Sequence, residues 1–371
     1  MQQRKKREKI RYAVVGLGHI AQAAVLPAFK HARRNSELTA LVSDDARKRH
    51  VLCKKYRLRH AASYAQYDDL MRSGEIDAVY IALPNSLHAE YSIRAARAGI
   101  HVLCEKPMAV TAKECAAMIK AARKHEIKLM IAYRLHFEEA NLKAVEIVKA
   151  KKIGEPRFFN SIFSLQVKDG NIRTQSDLGG GTLYDLGIYC INAARYLFRA
   201  EPEEAFAYSV RNGDRRFREI DEMTGALLRF PGERLASFTS SFGATDAGSY
   251  EIVGTKGRLR VDPAYEYAMA LRHQLTLGDK TISRTFHKRD QFAPELLYFS
   301  DCIIEGREPE PSGSDGLADV HIIEALYRSA AIGRPVNLAV EAPEKRPTLR
   351  QEIRRPPVGQ TRLVRAESGS Q

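Results

Sequence analysis

The sequence predicts a two-domain α/β chain, with a doubly wound parallel sheet over residues 9–132 and an α+β domain over residues 133–338 built on a largely antiparallel open sheet. Three observations carry this prediction. Short apolar strands alternate with helical patterns early in the chain, and a glycine-bearing turn joins the first strand to the first helix. Beyond Glu155 the apolar segments lengthen and alternate with polar residues, as strands with one solvated face do. At 371 residues the chain is long enough for two cores of ordinary size.

In the first domain, strands are expected at 12–15, 38–42, 78–82, 101–104 and 129–131, with helices at 46–56, 88–98 and 112–125. Pro27 lies inside the first helical pattern and should kink it or mark an irregular end. Ligands of such sheets sit beyond the carboxyl ends of the strands. Gly16, Ser43, Leu83-Pro84-Asn85 and Glu105-Lys106-Pro107 all fall there. In the second domain, strands are expected at 158–165, 205–210, 225–230, 235–242 and 250–253. A helix over 182–198 follows Gly179-Gly180-Gly181, and two more are expected at 294–305 and 316–332.

The formal net charge is +14, but residues 1–11 contribute +5 and residues 341–371 contribute +3, leaving +6 for the body between them. The basic N-terminal tail (1–8) and the segment 339–371, rich in Pro, Arg, Glu and Ser without an apolar period, are read as solvated, the latter as largely disordered. This distribution argues against a dedicated nucleic-acid surface. No apolar run approaches the roughly 20 residues a membrane span needs. The basic stretch 4–11 leads straight into the first strand without a secretory apolar core, so the expected compartment is the cytoplasm. Five cysteines without paired short spacing argue against a disulfide framework or a zinc site.

The turn Gly16-Leu17-Gly18-His19-Ile20-Ala21 has the chemistry of a dinucleotide site. Gly16 permits a sharp turn, Gly18 lets the backbone approach a pyrophosphate, and Ala21 keeps the helix close to the sheet, whose neighbouring helix N-terminus favours an anion. A tight turn without a ligand is the alternative, and the strand before and helix after it weigh against that. Lys106, at a strand's carboxyl end with Pro107 stiffening the turn, is placed to reach a substrate oxygen; the alternative is a surface lysine. Asp185 and Tyr189 stand four apart on one predicted helix and share a face.

Four motifs in order, Gly16 to Ala21, Glu105-Lys106-Pro107, Tyr133-Arg134-Leu135-His136-Phe137 and Asp185-Leu186-Gly187-Ile188-Tyr189-Cys190, resemble the glucose-fructose oxidoreductase and inositol dehydrogenase family (Gfo/Idh/MocA) over about residues 9–338. The stretch 185–197 is most similar to its glucose-fructose oxidoreductase branch. The resemblance implies an N-terminal Rossmann domain, a C-terminal domain whose open sheet often mediates oligomer contacts (a homodimer or homotetramer), and reversible oxidation of a sugar or polyol hydroxyl by NAD(P). It also implies that Leu83-Pro84-Asn85 contacts the nicotinamide ribose, with His88 just beyond, and that the peptide before Pro107 is often cis. Many members carry histidine where Tyr189 falls; this chain matches the tyrosine branch of sugar and dihydrodiol oxidoreductases.

Oxidising an alcohol needs one group to stabilise alkoxide character and another to take the proton, and Lys106 and Tyr189 supply those roles, with Lys106 the expected neighbour of the phenol. Asp185 would bind substrate hydroxyls or orient Lys106. A core tyrosine beside a capping aspartate is the alternative for this pair. Ser43 and Lys48, with Arg47 nearby, align with phosphate-contacting residues and favour NADP, while Asp44 and Asp45 keep NAD open. Arg134 and His136 are expected to line the sugar cleft, or else to pair locally. No His/Asp/Glu cluster has metal-ligand spacing. The resulting expectation is an NADP-dependent sugar oxidoreductase acting on a glucose-like aldose at C1. The alternatives are an NAD-dependent polyol, pentose or dihydrodiol dehydrogenase and a non-enzymatic NAD(P)-binding sugar sensor.

Overall fold

A computed structural model describes residues 9–366, 368 and 369. Among them the first sheet has six parallel strands: β1 (Ile10–Val15), β2 (Ser36–Val42), β3 (His60–Ala62), β4 (Ala78–Ile81), β5 (His101–Glu105) and β6 (Leu129–Ala132), in the order β3-β2-β1-β4-β5-β6. Successive residues of β1 feed two cores: Ala13 and Val15 join one cluster, Tyr12 and Val14 the other. That two-faced burial is why these strands read as unbroken apolar runs. The chain leaves β1 in one direction for β2 and β3 and in the other for β4 to β6, which opens a crevice at their carboxyl ends. β3 was not expected, because three residues beginning with histidine at a sheet edge leave no periodic signal.

After the glycine turn the chain makes a π-helical turn, Ala21–Val25, and a short α-helical turn, Leu26–Ala28, containing Pro27. The predicted irregularity is therefore present. Helix Ala112–Lys124 begins at a reciprocal cap, Thr111 with Glu114. The predicted 182–198 helix divides into a π-helical turn, Leu183–Gly187, and an α-helix, Ile188–Phe198.

The second sheet comprises β7 (Pro156–Ser164), β8 (Glu204–Val210), β9 (Met223–Phe230), β10 (Arg234–Ser241), β11 (Ala247–Gly254), β12 (Gly257–Val261), β13 (Leu271–Leu277), β14 (Lys280–Phe286) and β15 (Val336–Asn337). Their order is β14-β13-β12-β11-β7-β10-β9-β8-β15, antiparallel except where β7 meets β10. β12 to β14 were not expected. Six of the seven residues of β14 are exposed, so it carries no apolar alternation, and its Lys, Arg and Thr side chains suit an unpaired edge. One face of this sheet buries Phe159, Leu228 and Phe238; the other exposes Phe158, Ile162, Tyr208, Leu227 and Leu235.

The segment expected to be largely disordered instead lies along the body. Arg346 pairs with Glu201 at 2.8 Å, Gln351 donates to the Glu310 carbonyl at 3.3 Å, and Arg355 donates to the His31 carbonyl at 3.1 Å. It is held by polar anchors on carbonyls and carboxylates rather than by an apolar stripe, and composition does not reveal such anchors. Among the described residues no helix is long and apolar enough to cross a membrane, and no group of three or more His, Cys, Asp or Glu side chains is placed to hold a metal.

Candidate active site

A cleft of about 690 Å³ opens where the carboxyl ends of β1, β2, β4, β5 and β6 face the helix carrying Tyr189. Gly16, Leu17, Gly18, His19, Ile20, Ser43, Lys48, Leu83, Pro84, Asn85, His88, Glu105, Lys106 and Arg134 line it, and so do Asp185 and Tyr189. Arg47, predicted as a cofactor contact, does not. It is exposed on the helix Ala46–Tyr56, because that helix turns Lys48 rather than Arg47 toward the cleft.

The first turn fits a dinucleotide. Gly16 has φ +92°, and a Cβ there would stand 2.3 Å from the Ala82 carbonyl oxygen, so only glycine allows β1 to end against β4. No described atom lies within 4 Å of a Cβ built on Gly18, leaving its backbone bare for a phosphate. At the end of β2, Ser43 is buried and half-buried Lys48 faces the cleft. Asp44 accepts from the Tyr64 backbone N–H at 2.8 Å, and Asp45 caps its helix by accepting from the Lys48 N–H at 2.9 Å. Neither aspartate lines the cleft.

The Lys106–Pro107 peptide is cis. Lys106 Nζ donates to the Asp185 carbonyl at 2.9 Å and to Asp185 Oδ1 at 3.0 Å, using two of its three N–H bonds. The Asp185 carboxylate is shared with Arg173, whose Nε donates to Oδ2 at 2.5 Å. Burial pushes the Lys106 pKa down, but Asp185, with Tyr189 and Glu105, outweighs it and the net direction is up. Burial likewise penalises the Asp185 carboxylate, yet Arg173 and Lys106 hold its pKa well below the ordinary range. The result is a charged lysine beside an ionised aspartate.

Tyr189 lies between two cations. Lys106 Nζ is 4.8 Å and the Arg134 guanidinium 5.1 Å from its ring centroid. Lys106 is thus the neighbour the sequence suggested, while the hydrogen bond to the phenol oxygen comes from Arg134, at 3.2 Å. Lys106 instead meets the ring face, because Asp185 draws its ammonium away. Arg134 is buried at the cleft wall, as expected of a lining residue, and is held by the Gln291 side chain and by the Tyr265 carbonyl at 2.5 Å rather than by a local carboxylate. It fixes the phenol rather than pairing with a carboxylate.

His88 also differs from expectation. Its Nδ1 faces the Pro107 carbonyl at 2.7 Å and its Nε2 the Leu83 carbonyl at 2.9 Å, so it ties the turns after β4 and β5 together and offers neither nitrogen to a ligand. Glu105 accepts from the Tyr80 hydroxyl at 2.8 Å beneath Lys106. His136 is buried behind the cleft, between Glu310 and Asn192, each at 2.8 Å. Asn85 donates to the Gly179 carbonyl at 2.8 Å and joins the two domains at the cleft wall.

Sequence reasoning missed Arg173, Tyr265, Glu266 and Tyr267, which also line the cleft. The signal for Arg173 was the glycine run after it. A Cβ on Gly180 would lie 2.4 Å from the Arg173 carbonyl, so the run exists to fold this loop onto itself. The residues 265–267 sit in a loop between strands that lacked a readable pattern.

Comparison with known proteins agrees with this geometry. Residues 10–133 match the oxidoreductase family with the NAD-binding Rossmann fold (GFO_IDH_MocA), and residues 141–260 match the GFO/IDH/MocA C-terminal domain. An NADP(+)-dependent D-xylose 1-dehydrogenase from Haloarcula marismortui is 33% identical over 341 residues, covering 89% of this chain and 93% of that protein. The crystal structure of aldose-aldose oxidoreductase from Caulobacter crescentus, complexed with glycerol, superposes with a TM-score of 0.85 at 38% identity, over 89% of this chain and 100% of that one. A 3-ketoreductase from Actinomadura kijaniata, in complex with NADP and TDP-benzene, gives 0.79 at 27% identity, over 86% and 98%. The chain therefore belongs to the Gfo/Idh/MocA oxidoreductase family.

Proposed function

We propose that the protein is an NADP-dependent sugar oxidoreductase that oxidises a cyclic aldose at C1 to its lactone and runs the reverse reduction. The observation that carries this is the convergence of the Lys106 ammonium and the Tyr189 phenol on one patch of the cleft, beyond the ends of β5 and β6. A bound nicotinamide supplies the hydride acceptor. Lys106 directs its remaining N–H to the substrate oxygen and stabilises alkoxide character as the C1 hydrogen leaves. The Tyr189 oxygen, aimed by Arg134, takes the substrate hydroxyl proton as its own O–H proton passes to water, so the phenol is regenerated. Asp185, charge-balanced by Arg173, keeps Lys106 in place.

Gly16 to Ile20 would hold the pyrophosphate, Leu83 to Asn85 the nicotinamide ribose, and Ser43 with Lys48 the ribose phosphate of NADP. The NADP dependence of the xylose dehydrogenase relative and the NADP in the ketoreductase complex support the choice. Assays of aldoses with NADP⁺ and NAD⁺, with the product identified by NMR, test the reading. Lactone formation with NADP⁺ supports it; turnover confined to polyols or to NAD⁺ overturns it.

The phosphate pocket gives a sharper expectation. Ser43→Asp combined with Lys48→Ala replaces a paired charge by a repulsive one and should move preference toward NAD by at least about 10-fold in kcat/KM. An unchanged ratio would assign the phosphate to other residues.

We also propose a homodimer or homotetramer formed through the open face of the second sheet. Ile162 and Tyr208 there are 51% and 65% exposed, amid Phe158, Leu227 and Leu235. Such a contiguous apolar face suits a self-complementary contact. Ile162→Asp with Leu227→Asp should lower the molar mass measured by light scattering; a parent that is already monomeric removes the proposal.

A further inference from the structure

The C-terminal segment does more than cover the body. After running over the edge of the first domain, it reaches Gln22, one residue past the glycine turn and its Ala21. Gln22 is 1% exposed and stands among Ala21, Ala24 and Val25 in a core-facing stretch. Its amide is fully used: Oε1 accepts from the Val364 N–H at 2.8 Å, while Nε2 donates to the Val364 carbonyl at 3.0 Å and to the Leu17 carbonyl at 2.9 Å. A buried side chain thus binds one residue of the tail and one of the glycine turn at once.

The next residue, Arg365, pairs with Asp45 at 3.6 Å, at the helix start beside Ser43. Ser368 and Gly369 then line the cleft, and the Gly369 carbonyl accepts from the backbone N–H of Lys168 in the second domain at 3.1 Å. The tail is therefore tied to the first domain at the phosphate turn and to the second domain on the sugar side.

We propose that the C-terminal segment is a structural part of the dinucleotide site, a strap over the cleft whose attachment to Gln22 sets how slowly the nucleotide leaves. The proposal rests on the NADP reading above. The strap touches the wall of the site rather than the reacting atoms, so its effect falls on dissociation more than on chemistry. It also makes nucleotide and strap mutually protective, since whatever the strap does to the nucleotide the nucleotide does to the strap.

Release of NADPH, followed by its fluorescence after mixing with excess NADP⁺, tests this on the full chain. Val364→Pro removes the N–H that Gln22 accepts, and deletion of residues 363–371 removes the crossing. Each should speed release by about 10-fold or more, from the loss of one or more buried hydrogen bonds. Trypsin should cut the parent chain after Arg362 or Arg365 more slowly when NADPH is bound. If the deletion fails to fold, the point variant and the protease measurement decide. Release rates within about twofold of the parent, or cleavage indifferent to NADPH, overturn the strap while leaving the cofactor reading intact. A parent chain that binds no NADPH overturns the cofactor reading, and the strap with it.

Discussion

Lys106→Ala is expected to lower kcat by about 10²-fold or more while NADP binding stays close to that of the parent. The ammonium acts on charge that develops only as hydride leaves, so its loss falls on the transition state. The variant should also fold. Asp185 keeps its contact with Arg173 at 2.5 Å, so removing the lysine does not leave a carboxylate without a counter-charge. Steady-state kinetics with an aldose, together with nucleotide titration by fluorescence, check both halves. Turnover equal to the parent's would remove Lys106 from the chemistry.

Tyr189→Phe isolates the proton. The phenylalanine ring would still lie between the two cations and against Phe163 and Tyr265, whose centroids are 5.4 and 5.9 Å away. Arg134 would keep Gln291 and the Tyr265 carbonyl. Folding and nucleotide affinity should therefore survive, and sugar oxidation should fall by about 10²–10⁴-fold, the range for a lost general acid or base. A variant that oxidises sugars normally makes Tyr189 a packing residue and passes the proton to water or Lys106. A parent that binds NADP and sugars but turns over none of them gives the lead to the sensor alternative.

The parts of this molecule that were legible in the sequence share a physical origin. The strands β1, β2, β4, β5 and β6 are buried on both faces and announce themselves as apolar runs. The cradle is legible because glycine is obligatory at the end of β1, where a Cβ would stand 2.3 Å from the Ala82 carbonyl oxygen. Asp185 and Tyr189 both line the cleft as their spacing suggested, with Lys106 against both, even though the turn between Leu183 and Gly187 is π-helical. What stayed hidden depends on partners distant in sequence. Arg134 is defined by Gln291, Tyr265 and Tyr189, and no local pattern points to them. His88, expected beside the nicotinamide ribose, is a backbone tether. β14 and the tail are polar, and their order comes from ladder hydrogen bonds and scattered arginine anchors that hydropathy cannot register.

The wall where Asn85 meets Gly179 has a consequence for how such a protein can change over generations. Residues 16–106 supply the proposed nucleotide cradle, whereas Asp185, Arg173 and the loop with Tyr265, Glu266 and Tyr267 line the part of the cleft proposed to take the sugar. Direct links between the two sets at this wall are few: Asn85 to Gly179, Ser86 N–H to the Leu178 carbonyl at 3.2 Å, and Lys106 to Asp185. Substitutions in the 265–267 loop can therefore reshape the carbohydrate pocket while leaving the redox partner unaltered, since distant sites without shared partners act nearly independently. Substrate range becomes the trait free to diverge. The lysine-aspartate contact, the one of these links that the proposed reaction also uses, is then the part least free to change.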